Sequence, residues 1–288
     1  MSLHRLAIFG ATHRPSTFSV VEQVILALHR RGVVLLVEAS LLSSLQLPVS
    51  LPSFSDKAPQ DIDAAISFGG DGTFLRTLHR LQETSTPILA VNSGHMGFLT
   101  DLDAAEFFPL VEDLLAGRYK IEERILLNIY AEGAYLGSAF NEVAIQKRET
   151  GSMIDVATYL QGQYLATYTG DGLIVATPSG STAYSLSLNG PIVDPRCSLL
   201  LLTPVAPHSL NMRPMAIPDD ALITVNVRSR SSSYMVVVDG IVSNLSIDTT
   251  LRIAKAEKKV RLIKLHDKPF AEVIRKKLLW GEQYKKNE

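Results

Sequence analysis

Residues 64–75, AAISFGGDGTFL, constrain this chain more than any other stretch: an apolar run stops at Gly69-Gly70-Asp71-Gly72-Thr73 and a helical pattern begins. Strand, glycine turn and helix in succession present bare backbone N–H groups to a phosphate. Three glycines around one carboxylate let the backbone approach a ligand closely and accept the positive φ angles of a tight turn. Asp71 is the only ionisable group in the turn. A negative side chain is ill suited to holding phosphate, so its expected work is on a hydroxyl or a metal.

The flanking chain reads as alternating strands and helices. Residues 5–10 form a buried strand and residues 11–19 a polar turn carrying His13 and Arg14. Val20, Val21, Val24, Ile25 and Leu28 recur at helical spacing up to Gly32, a C-terminal cap, and residues 33–37 form a second strand. Such a succession implies a right-handed crossover and a parallel sheet. Residues 47–59, rich in Pro and Ser, read as a surface loop. After the glycine turn, Phe74, Leu75, Leu78 and Leu81 mark a helix's apolar face, and residues 87–91 form a strand ending in a second glycine loop, NSGHMGF, at 92–98. Two such loops on successive parallel strands share the sheet edge at which open α/β sheets bind ligands. Residues 107–115 read as a helix ending at Gly117.

From Glu122 the texture becomes that of antiparallel β structure: short runs at 126–131, 135–145, 153–160 and 164–169, with turn signals at Glu132-Gly133 and Gln161-Gly162, and further runs up to 260–265. A last helix, residues 269–279 with Trp280 behind it, is expected to return to the first domain. The expected architecture is an N-terminal α/β domain with a Rossmann-like parallel sheet (1–121 plus 267–288) and an all-β sandwich domain (122–266), without internal repeats. The length of 288 residues suits two domains.

The net charge of −1 gives no case for nucleic acid or an anionic membrane as partner. The one cysteine, Cys197, excludes an intramolecular disulfide and a multi-cysteine zinc site, and is expected to be buried and inert. The first residues form neither a secretory signal nor a spanning helix, so the cytoplasm is the expected location. The basic end, 255–261 and 276–286, reads as a solvated face and tail.

In the β region, residues 170–191, GDGLIVATPSGSTAYSLSLNGP, are dense in hydroxyls, and Tyr184 offers a flat face for a base. Ligand binding and a capped surface loop both account for this composition. Asn141-Glu142 could hold ribose hydroxyls or a base edge, although strand ends carry such pairs routinely. Asp-Gly occurs at Asp71, Asp171 and Asp239. The last, between MVVV and IVSNLSI, reads as a hairpin turn, whereas Asp171 opens the hydroxyl-rich loop. His95 and His208 could touch phosphate or be structural, and Arg76 and His79 point near the glycine turn if its helix starts at Thr73. Neither GxxxxGK[ST] nor GxGxxG is present in the glycine turn, so the phosphate chemistry is of another type.

Taken in order over residues 68–214, GGDGT, the 92–98 loop, Asn141-Glu142, Asp171-Gly172, residues 177–191, Pro207-His208 and Arg213-Pro214 resemble the NAD kinase family. The resemblance implies NAD in a cleft between an α/β domain and a β-sandwich, ATP or polyphosphate as donor, Mg²⁺ or another divalent cation bound mainly through the donor, and a homodimer or homotetramer. It assigns Asp71 as general base for the adenosine 2′-hydroxyl. It gives the dinucleotide to Asp71, Gly72, Arg76, Asn141, Glu142, Asp171, Thr182, Ala183, Tyr184, Ser185, Ser187 and Ala206. The donor falls to Gly69, Gly70, Gly72 and Thr73, and no residue is assigned to a metal. Ser93 and Ser179 replace threonines of the family pattern, and Leu188-Asn189 stands where Ala-Gly is common. GGDGT also resembles the turn of the diacylglycerol and sphingosine lipid kinases and, less closely, of phosphofructokinases; a non-catalytic NADP(H)-binding sensor is a further alternative.

Overall fold

The computed structural model describes residues 3–279 apart from 13–17, 56, 83, 94–96, 101, 150 and 267. His13, Arg14, His95 and Trp280 lie outside the described residues. The chain divides into two compact units, residues 1–123 with 260–288, and residues 124–259.

The first unit runs β1 (Arg5–Gly10), α1 (Phe18–Arg30), β2 (Val34–Glu38), α2 (Ala39–Leu42), β3 (Ser53–Phe54), β4 (Ala64–Phe68), α3 (Asp71–Arg80), β5 (Ile88–Asn92), β6 (Leu102–Asp103), α4 (Ala104–Phe107), α5 (Val111–Leu115) and β7 (Lys120–Arg124). Its sheet has the order β3-β2-β1-β4-β5, with β1 parallel to both β2 and β4. The order reverses between β1 and β4, so the loops leaving these two strands border the crevice where such sheets take ligands. The apolar face of α1, Val21, Val24, Ile25 and Leu28, is buried as its spacing predicts, and Gly32 at φ +76° ends the helix. The expected surface loop at 47–59 contains β3, whose Phe54 packs edge-on against Phe9 of β1 at 5.1 Å between centroids. Two residues of strand are too short to leave a periodic signal.

The second unit runs β8 (Leu127–Ala131), β9 (Ala134–Ala139), β10 (Glu142–Lys147), β11 (Ile154–Leu160), β12 (Gln163–Gly170), β13 (Gly172–Ala176), α6 (Tyr184–Ser187), β14 (Leu199–Val205), β15 (Met215–Pro218), β16 (Ile223–Arg228), β17 (Ser233–Val238), β18 (Ile241–Ser246) and β19 (Leu251–Lys255). Two antiparallel sheets, β15-β14-β13-β10-β17-β18 and β12-β11-β16-β19-β8-β9, share one core. Alternation decides which side chains enter it: Val143, Ile145, Leu173 and Val175 face the sandwich interior, while Ala144, Ile174 and Ala176 face outward.

Four expectations are corrected. The run 135–145 is not one strand: it breaks at Phe140-Asn141, where the chain leaves the sheet of β9 for the sheet of β10. An internal repeat is present. Tyr130 to Ser138 and Tyr159 to Thr167 share the pattern Y-x-x-G-x-Y-L-x-[ST] at the two edges of one sheet, with T-shaped tyrosine pairs at 5.8 and 5.7 Å. Cys197 is exposed rather than buried, in a turn closed by its N–H on the Asp194 carbonyl. The domain boundaries also move: β7 and β20 (Val260–Lys264) both belong to the first unit's sheet, β20 between β5 and β7, so the sandwich ends before residue 260 rather than at 266. One strand of apolar residues carries no mark of which sheet it joins.

α7 (Phe270–Leu278) falls in the first unit, as expected, with Ile274 buried.

Candidate functional site

On the first unit the site begins where β4 ends. Gly70 caps α3, which starts at Asp71 rather than Thr73, so the carboxylate sits in the first helical turn, where the macrodipole favours negative charge. A Cβ on Gly69 would collide with the Thr73 side chain, whereas above Gly70 and Gly72 there is open space. The turn therefore exposes its backbone in the way a phosphate needs. On the buried side Phe74 and Thr77 anchor the helix, Thr77 through a 3.0 Å bond to Ser67 of β4. Leu75 and Leu78 are only half-buried, so Thr77 takes a place on the packed face that hydropathy alone assigns to a leucine.

The second glycine loop closes on Asp71. Phe98 N–H donates to Oδ2 at 2.9 Å and Leu99 N–H to Oδ1 at 3.0 Å. A Cβ on Gly97 would collide with Oδ1 of the same carboxylate, so the position has room only for glycine. Each carboxylate oxygen keeps a further lone pair, so Asp71 is oriented without being saturated. Arg76 does not point into the turn: its guanidinium donates to Gly10 O at 2.7 Å and pairs with buried Glu38 at 2.9 Å. Arg80 approaches the same carboxylate at 3.8 Å. His79 is exposed.

On the second unit the candidate residues gather along the outer face of β10 and β13. Asn141-Glu142 lies at the crossing between sheets, and the turn carboxylate of Asp239 fixes it by accepting N–H groups from Phe140 (2.6 Å), Asn141 (2.9 Å) and Glu142 (3.0 Å). Thr177 adds a bond to Phe140 O at 2.5 Å and accepts Gly180 N–H at 3.1 Å, tying the hydroxyl-rich segment to the same crossing. Gly180 packs so closely on the Asn141 backbone that a Cβ has no room. Burial, then the neighbouring Asp239 charge, push the Glu142 carboxyl up to about 7, against a lowering bond from the Tyr184 backbone. Its Oε2 is buried with no partner among the described residues. A buried acceptor in that state is a ready place for a hydroxyl donor.

Gln146, about 13 Å along the strand from Glu142, reaches the hydroxyl of Tyr184 at 3.1 Å, leaving the tyrosine ring partly exposed. At that end Asp171 pairs with Lys147 at 2.6 Å, and its N–H bonds Val205 O, just before Ala206, which is exposed at φ +42°. His208 is placed beside them by its N–H on Thr169 O.

The hydroxyls of the segment are mostly turned inward. Ser181 bonds Val193, Ser185 is buried against Thr203 at 2.8 Å, and Thr182 bonds Ser179 O at 3.3 Å. The segment is thus a rigid two-turn element covering the outer face of β13 with Leu188 and Val193. Ser187, Tyr184 and the backbone are what it leaves open. Sequence reasoning missed the Phe98 and Leu99 N–H groups, Glu38 and the second role of Asp239. The Asp-Gly dipeptide was the only signal for the last.

Comparison with known proteins fits both halves. Residues 6–119 match the ATP-NAD kinase N-terminal domain family and residues 140–265 the ATP-NAD kinase C-terminal domain family. The chain is 46% identical over 284 residues to an NAD kinase of Porphyromonas gingivalis strain W83, covering 97% of this chain and 99% of that protein. It is 39% identical to an NAD kinase of Bacteroides fragilis strain ATCC 25285, over 96% and 98%. A crystal structure of yeast NADH kinase complexed with NADH has the same fold, with a TM-score of 0.89 at 24% identity over 100% of this chain and 91% of that one. An Archaeoglobus fulgidus NAD kinase in complex with ATP aligns with a TM-score of 0.72 at 26% identity, over 93% and 98%.

Proposed function

The chain belongs to the NAD kinase family, and from that membership we propose that it transfers the γ-phosphoryl group of ATP to the 2′-hydroxyl of the adenosine ribose of NAD, with Asp71 as general base. Membership sets aside the lipid kinase, phosphofructokinase and sensor readings. ATP as donor is supported by the related Archaeoglobus fulgidus NAD kinase, which was crystallised with ATP. Polyphosphate remains a second candidate donor.

The observation that carries the role of Asp71 is its position: a carboxylate oriented by two backbone N–H groups, in the first turn of α3, beside the open backbone of Gly70 and Gly72. A carboxylate there accepts the hydroxyl proton as the oxygen attacks phosphorus, an effect of about 10² to 10⁴ in rate. Glu142 and Asn141, with Asp171, Tyr184 and Ser187, are assigned to the dinucleotide, the unpartnered Oε2 of Glu142 to one of its hydroxyls. The Gly69-Gly70-Gly72-Thr73 backbone is assigned to the donor.

A divalent cation is assigned to the donor phosphates, where Mg²⁺ would neutralise charge during transfer; Asp71, whose oxygens each keep a lone pair beside one N–H bond, is the carboxylate nearest the open glycine backbone that could meet it. A homodimer or homotetramer in the cytoplasm completes the proposal; no described helix is long and apolar enough to cross a membrane.

The test is NADP formation from NAD, ATP and Mg²⁺ by the purified protein beside Asp71→Asn, with NAD binding measured by calorimetry. Turnover lost by about 10² or more with binding kept is the expected result. Full activity in the variant would remove Asp71 from the chemistry.

A further inference from the structure

The basic C-terminal helix is not merely a solvated face. Lys277, in the last turn of α7, is half-buried; its ammonium donates to the carbonyl oxygen of Gly97 and lies over the Phe98 ring, 5.5 Å from the centroid. The Gly97 carbonyl and the Phe98 N–H belong to one peptide group. One end of that planar unit is therefore held by Lys277 while the other donates to Asp71 Oδ2.

We propose that Lys277 is a positioning residue for phosphoryl transfer, locking the Gly97–Phe98 peptide in the one orientation that presents its N–H to Asp71. Glycine at 97 gives this peptide more rotational freedom than any other residue would. A flipped peptide turns its carbonyl oxygen toward the Asp71 carboxylate and its N–H away. The ammonium opposes that flip directly, and by polarising the carbonyl it strengthens the N–H as a donor. The cation over Phe98 fixes the next residue as well. Asp71 is thus oriented from the far end of the chain, through one peptide. α7 is itself anchored: Lys268, just before it, pairs with Glu106 of α4 at 3.1 Å.

This rests on Asp71 being the base, so wild-type NADP formation is measured first; its absence would refute the functional reading, and the outcomes below apply to an active enzyme. Lys277→Met keeps the stem and removes the charge and donors; Lys277→Arg keeps both charge and donors. The expected result for Lys277→Met is a fall in kcat of about tenfold to a hundredfold, with KM for NAD within about twofold, and faster amide hydrogen exchange at Phe98 and Leu99. Lys277→Arg should restore most of kcat and of the protection. Unchanged kcat and unchanged exchange in Lys277→Met would overturn the proposal. So would a loss confined to thermal stability, or one that Arg fails to restore.

Discussion

Asp239 and Glu142, 97 residues apart in sequence, are joined by a 3.0 Å bond from the Glu142 N–H to Asp239 Oδ1, and the same carboxylate helps to raise the Glu142 carboxyl to about 7. One residue of a hairpin turn therefore sets both the backbone and the charge of a candidate dinucleotide ligand. Asp239 keeps its turn role too: it stands at φ +45° and Gly240 at +89° between β17 and β18.

Replacing Asp239 by Asn keeps the turn but exchanges a buried acceptor of three N–H bonds for an amide that meets one of them donor to donor. The expected cost is about 1–3 kcal/mol in urea unfolding, as for other buried hydrogen bonds to charge. NAD binding should weaken alongside, because the Asn141-Glu142 backbone loses its anchor. Wild-type stability and affinity together would show that the three bonds do nothing.

Glu142 gives a pH dependence whose sign follows from its environment. Its folded carboxyl is raised from 4.5 to about 7, so the stability it contributes is fully present below pH 4.5 and lost as pH rises through about 7. A ribose hydroxyl donating to Oε2 favours the anion instead, so NAD affinity should rise over the same window. Calorimetry at about pH 6 and about pH 8 should find tighter binding at the higher value, and Glu142→Gln should flatten the difference. Equal wild-type affinities would remove Glu142 from the ligand.

Gly97→Ala places a methyl group against the Asp71 carboxylate. The loop must retreat, and its two N–H bonds to Asp71 lengthen. Steady-state kinetics should show kcat reduced by about a hundredfold with KM for NAD nearly kept. An active Ala variant would mean that the loop's hold on Asp71 is irrelevant to turnover.

Arg76 is expected to act on stability more than on substrate. Its removal leaves Glu38, only 2% exposed, with the more distant Arg80. Because Arg76 is partly exposed and Arg80 remains, Arg76→Met should cost about 1–3 kcal/mol, below the usual penalty for breaking a fully buried pair. Denaturant unfolding reads the stability; a raised KM for NAD with unchanged stability would return Arg76 to the ligand.

Local pattern carried much of this structure. The strand, glycine turn and helix at 64–80 form in the order read, because glycine placement and helical spacing are properties of adjacent residues, but the turn is made without the positive φ expected of its glycines, Gly70 standing at −95°. So does the pairing of the two glycine loops, which follows once β4 and β5 are parallel neighbours. The rest depends on long-range partners. Phe140-Asn141 is a crossing because Asp239 and Thr177 capture its backbone, and neither partner is near it in sequence. Hydroxyl density at 177–187 suggested side chains turned toward a ligand, whereas Ser181 and Ser185 shape the element from within. Lys277 read as surface because charge runs usually are; its meeting with Gly97 and Phe98 says otherwise.

The place of β20 bears on how the molecule is made. Among the described residues β7 reaches the first sheet only through β20, which is synthesised more than a hundred residues later. A nascent chain emerging from the ribosome up to residue 259 thus carries every strand of the sandwich, while β7 has no neighbour in its sheet. The unit that begins first finishes last. Protease applied to chains stalled at residue 259 should cut within 1–123 and spare 124–259, and chains that include residues 260–288 should resist in both; protection of both units at the earlier length would mean that β20 is dispensable for closing the first unit.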